Sequence, residues 1–141
     1  MLAHLHAVRA ALQRPDVDAF VLEAVKYGPT GTEVDLVYPY HLVWPSTNAP
    51  HAEADLARAR DLTFLVGVTS VGLTADSAGV LARNARRALG AEKFVPLAVA
   101  GRAARIRWEA FSTASVDRDV TVSGRYPSYW VDLYRIESTP A

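Results

Sequence analysis

The sequence predicts an α+β fold: a mostly antiparallel sheet with two main helices packed on one face. Three observations predict it. Between Asp61 and Thr69 the apolar residues Leu62, Phe64, Val66 and Val68 stand two apart, with Thr63, Gly67 and Thr69 largely on the other side, which is the period of a half-buried strand. The period then lengthens. Ala78, Leu81, Ala82, Ala85 and Leu89 fall three or four residues apart and make one apolar helical stripe, while Arg83, Arg86 and Arg87 project elsewhere. Finally, the elements follow one another as helix, several strands, helix and further strands, and a sheet with helices on one face is the simplest way to bury those stripes together.

The elements can be justified in chain order. Leu2, Leu5, Val8 and Leu12 recur at helical spacing in an alanine-rich stretch, so residues 2 to 13 read as an amphipathic helix, which Pro15 stops by pushing its predecessor out of the helical region. Asp18 to Tyr27 fits both periods; its density of Val, Phe and Tyr favours a strand. Gly28, Pro29 and Gly31 make a turn, and Val37 to Trp44 is a strand interrupted or edged by Pro39 and ended by Pro45. Ser46 to Arg60 is a long polar loop. The helix after the central strand has Thr74 as N-cap, Asp76 at its positive end, arginines near its negative end and Gly90 for a left-handed exit. Phe94 to Leu97 and Arg102 to Glu109 follow as strands, the second with Ala104, Ile106 and Trp108 alternating with Arg105, Arg107 and Glu109. Ser112 to Tyr126 is a second polar stretch. In the last strand, Ser128 to Ile136, both faces are largely apolar, which suggests an interior place in the sheet or one face buried by a partner.

Composition excludes several functions. The 141 residues suit one domain, residues 1 to 141, with a real core that includes Leu62, Phe64, Val66, Leu81 and Leu89. Charged residues make up 21 % and the formal net charge is zero, so no global field recruits nucleic acid or an anionic membrane. The charge is unevenly spread: residues 1 to 70 hold 5 Lys/Arg against 8 Asp/Glu and residues 71 to 141 hold 10 against 7, a split of −3 and +3 that suits head-to-tail association of copies. The absence of cysteine removes disulfides, thiolate nucleophiles and Cys-based zinc sites. Met1 to Gln13 lacks a secretory pattern and no segment has the ~20 apolar residues of a membrane span, so the expected compartment is the cytoplasm.

Catalytic arrangements are not found, so the chain is read as not an enzyme, with no cofactor and no metal. His4 and His6 stand two apart on a helix and point in different directions. His41, beside Trp44, has no nucleophile supplied by any local motif and reads as a packed or edge histidine. His51, Glu53 and Asp55 cluster within five residues, but their spacing matches neither zinc nor calcium signatures, and a solvated loop is the better reading. Arg102, Arg105 and Arg107 with Arg83, Arg86 and Arg87 offer basic surface near Trp108; the plain alternative is that the helix arginines solvate its outer side and complement its dipole.

The stretch Tyr38-Pro39-Tyr40-His41-Leu42-Val43-Trp44-Pro45 after an alanine-rich helix, the strand opened by Arg60-Asp61-Leu62-Thr63-Phe64 and ended by Val68 to Gly72, the helix Thr74 to Gly90 and the closing Tyr129 to Arg135 resemble, over nearly the whole chain, the tail terminator (tail-completion) proteins of siphophages, the long-tailed bacterial viruses. Length and order of elements carry the likeness more than any single motif. The resemblance implies a virion protein at the tail–neck junction, assembled in the host cytoplasm as a hexameric ring that caps the tail tube, ends its polymerisation and joins it to the head-completion or connector protein. The partners it implies are further copies of the chain, the tail tube protein and the connector, with DNA only as passing cargo and no membrane. Candidate interface residues are Trp44, His51, Asp55, Asp117, Arg118 and Tyr126, and candidate channel or subunit contacts are Arg105 and Arg107. The alternatives are a head-closure or neck connector protein and a small ligand-binding α+β domain built around His41 and Trp44.

Overall fold

The apolar stripe of the first segment makes helix α1 (Leu2–Leu12), which turns His4, Leu5, Val8 and Leu12 into the protein. The computed structural model describes residues 2–46, 61–112 and 114–141. The remaining elements in order are β1 (Asp18–Val21), β2 (Lys26–Tyr27), β3 (Glu33–Val34), β4 (Tyr40–Pro45), β5 (Leu62–Gly72), α2 (Ala75–Leu89), β6 (Val95–Leu97), β7 (Arg102–Phe111), β8 (Ser115–Val116) and β9 (Ser128–Pro140). One sheet runs in the order β1-β4-β5-β9-β7-β6, with β8 also pairing β9, and β2 with β3 form a separate hairpin. Only β1 and β4 pair in parallel; the other pairings in the sheet are antiparallel.

The fold class is the α+β arrangement expected, with both helices on one face of a sheet-dominated structure. α1 packs on β1 and β4, and α2 on β5 and β9. Strand alternation then separates the faces: Val43, Phe64, Val66, Val68, Ile106, Tyr134 and Ile136 meet the helices and are buried. From α2 come Ala78, Leu81, Ala82, Ala85 and Leu89, all buried. α2 is held at both ends as its sequence foretold. The Ser77 amide donates to Thr74 Oγ1 at 3.1 Å, and Gly90 exits at φ 88°.

Several boundaries differ from expectation, each for a local reason. The strand expected over Asp18 to Tyr27 is two strands, because Leu22 takes a left-handed φ of 68° and turns the chain out of the sheet while its amide still donates to the Val43 carbonyl at 2.8 Å. The predicted turn then joins β2 to β3, with the Gly28 amide donating to Thr32 O and the Gly31 amide to Gly28 O. β4 begins at Tyr40 rather than Val37: Pro39, with no N–H to give, stands before the strand, and its peptide bond to Tyr38 is cis. The polar stretch after β7 holds a strand, because β8 continues along β9 where β7 stops, the Ser112 amide donating to Val131 O in between. β9 runs on to Pro140 and is an interior strand, flanked by β5 and β7. The expected loop Ser46 to Arg60 lies outside the described residues after its first position. No helix among the described residues is long and apolar enough to cross a membrane.

Candidate functional site

Among the described residues no helix lies on the second face of the sheet, and the surface of that face is built by register. Opposite positions on β4, β5 and β9 form three rows: Tyr40, Val71 and Tyr129; Leu42, Thr69 and Val131; Trp44, Gly67 and Leu133. Most of these side chains are half-buried by one another. Trp44 lies over Gly67, where a Cβ would overlap its ring, and its indole N–H donates to Thr69 Oγ1 at 2.9 Å. Only glycine admits that approach.

At the Tyr129 end the segment Val116 to Val120 rises beside the face and leaves an open cleft of about 550 Å³. Its polar lining includes Tyr38, Tyr40, Tyr129, Asp117, Arg118 and Asp119. Burial, with Tyr38 and the Asp117 carboxylate nearby, pushes the Tyr40 hydroxyl up to about 12, and burial and Asp117 raise Tyr38 as well. Asp117 Oδ1 accepts the Asp119 amide at 3.0 Å, a local turn that holds the exposed Asp119 at the cleft. Arg118 is turned onto the Tyr126 ring, 5.9 Å from its centroid.

The other end of the face is charged. Arg105 pairs with Glu137, and Arg135 reaches Glu109 with two hydrogen bonds of 2.8 and 3.0 Å. Those bonds hold the Glu109 carboxyl below its usual range. Arg105 and Arg107 both lie over Phe94, at 4.3 and 5.2 Å from its centroid. From Tyr129 to Glu137 is roughly 27 Å of strand at ~3.3 Å per residue.

The structure therefore gathers Trp44, Asp117, Arg118, Arg105 and Arg107 along one face, with Tyr126 at its rim. His51 and Asp55 lie outside the described residues. Tyr38, Tyr40 and Tyr129 belong to the site and were not singled out; the signal was present in Tyr40 and Tyr129, which fall on the same parity as Trp44 and Leu133 in their strands.

A second missed group lies on the helix face. Arg86 is not a solvated helix residue. Its guanidinium donates to both carboxylate oxygens of Asp132, at 2.8 to 3.3 Å, while the Asp132 side chain is 1 % exposed. The Trp108 indole N–H also donates to Asp132 Oδ1, and the Arg86 guanidinium lies 4.5, 5.1 and 5.5 Å from the ring centroids of Trp108, Phe111 and Trp130. A carboxylate on the apolar side of β9 was the signal, since a buried charge requires a partner.

The two buried histidines, His4 and His41, open no route to chemistry at an accessible surface. His41 Nδ1 lies 3.1 Å from Ser70 Oγ, but Ser70 is fully buried, so no substrate carbonyl reaches it. His4 Nε2 meets Ser138 Oγ at 2.9 Å beneath α1. Burial lowers both rings to about 4, assisted by the chain's N-terminal charge and Arg102 at His4 and by Arg14 at His41. Among the described residues no three His, Cys, Asp or Glu side chains converge as a metal site would need. The chain matches no protein-family model and no curated protein.

Proposed function

We propose that the chain is a structural virion protein of a long-tailed bacteriophage, a tail terminator whose copies close into a hexameric ring, cap the tail tube and present a surface to the head connector. The observation that supports this most is the face of β4, β5 and β9 that no described helix covers. It has an apolar centre of Leu42, Trp44, Leu65, Val131 and Leu133 between a tyrosine-lined cleft and an arginine–glutamate end. An extended apolar surface with charged ends fits a protein–protein contact better than a small-ligand pocket. On this reading the protein is not an enzyme, and DNA passes the ring without being read.

The test is genetic and visual. Removing the protein from an assembling tail gives tubes of uncontrolled length, and adding it to growing tubes caps their ends with rings of about six subunits in negative-stain images. Tails of normal length left unattached to heads would assign the protein to the neck instead. Monomers that bind no tube would sink both versions.

A further inference from the structure

The two sides of the molecule complement each other. On α2 the outward side carries Val80, 51 % exposed, and Arg83 and Arg87, which have no hydrogen bond or ion pair among the described residues. Arg86, between them in sequence, is turned inward onto Asp132. On the opposite side of the sheet, the cleft is lined by the tyrosines Tyr38, Tyr40 and Tyr129 and the acidic residues Asp117 and Asp119, while its one arginine, Arg118, is directed at Tyr126. A guanidinium is the group such a lining suits: planar, able to stack on tyrosine and to donate to a carboxylate in the same pose.

We infer that the arginines on the outer side of α2 of one copy seat in the tyrosine–aspartate cleft of the next copy, with Val80 against the apolar centre of the same face. This rests on the ring reading above and supplies the contact that reading leaves open. The two patches differ and lie on opposite sides of one subunit, so the contact is head-to-tail and an open chain of copies keeps one free patch of each kind, at its two ends, until the ring closes. The positive patch lies in the second half of the chain, on a helix where Arg83 and Arg87 have no ion pair among the described residues. The acidic lining comes from the second half too, so the pairing is set by the fold and not by the −3 and +3 split of the halves.

The native chain has no cysteine, which permits a direct test. Arg83→Cys and Asp119→Cys in one chain, both at exposed positions, are oxidised and run without reductant, with assembly followed by mass photometry and folding by circular dichroism. The expected result is a ladder of covalent multimers ending at the ring size, absent in either single variant and in the control pair Arg83→Cys with Arg105→Cys. Asp119→Arg should raise the concentration at which rings dissociate by about tenfold or more. Adding Arg83→Glu and Arg87→Glu to it should restore assembly. Rings without a ladder would overturn this contact and leave the ring reading standing. A ladder without closed rings would support the contact and count against the ring. Neither ladder nor rings at any concentration would overturn both.

Discussion

The two faces of the sheet are made from the same strands and differ in how they are finished. On the helix side, β9 offers Asp132, Tyr134, Ile136 and Ser138, all buried; on the other side, Val131, Leu133, Arg135 and Glu137 are half-buried, with no helix above them among the described residues. One face is closed within the chain: its apolar residues are covered and its one deep carboxylate is matched by Arg86 and Trp108. The other has the same alternation and similar apolar content, yet no described helix covers it. The difference teaches that stability and recognition are separated by strand parity here, so neighbouring residues on β9 should respond to substitution in opposite ways.

The largest effect should come from breaking the closed face at its charge. Arg86→Ala leaves Asp132 buried without its cation and should cost about 3 to 5 kcal/mol in chemical denaturation. Asp132→Ala should cost less, since Arg86 is 21 % exposed and can turn to water. Equal losses would mean the pair is not the source. Next comes the comparison within β9. Ile136→Ala should destabilise the isolated subunit by about 2 to 5 kcal/mol through an internal cavity, whereas Leu133→Ala should cost under about 1.5 kcal/mol there and lower ring yield instead. If Leu133→Ala unfolds the subunit as readily, the second face is not a free surface.

Acid should attack the closed face first. His4 and His41 both lie on it, neutral, with folded values near 4 against an ordinary value of 6.5. As pH falls below 6.5 the unfolded chain binds their protons and the folded chain does not. Their stability contribution is therefore complete above about 6.5 and declines down to about 4, by up to ~1.4 kcal/mol per pH unit for each ring. His41→Gln should flatten that decline in thermal melts across this window; an unchanged slope would remove His41 from the account. Smaller is the effect of Gly67→Ala, where the new methyl group displaces the Trp44 ring. A loss of about 1 to 3 kcal/mol and altered tryptophan fluorescence are expected. Least of all, Arg83→Ala and Arg87→Ala should change subunit stability by less than about 0.5 kcal/mol, with their effect confined to assembly.

Legibility in the sequence followed the range of the interactions. α2 was readable almost to the residue, because its cap, apolar stripe and glycine exit act within a few positions of one another. β5 was readable for the same reason, a single alternation. β1 was not, because its end depends on Leu22 adopting a left-handed turn while bonded to β4. The residues of the uncovered face were partly named, Trp44, Asp117, Arg118, Arg105 and Arg107 among them, yet as scattered candidates from loops and strands. Nothing in the linear order says that Tyr38 and Tyr40 stand beside Tyr129.

By itself, the sequence determined the fold class, the two helices, the central strand and the two apolar faces of β9, since periodicity and capping are local and the hydrophobic effect sorts alternating residues by face. Tertiary structure alone decided which arginine of α2 turns inward, because Arg86 and Arg87 are chemically identical and only the position of Asp132 on a distant strand distinguishes them. It also decided which face of the sheet the two described helices cover, since both faces of β9 are apolar enough to bury.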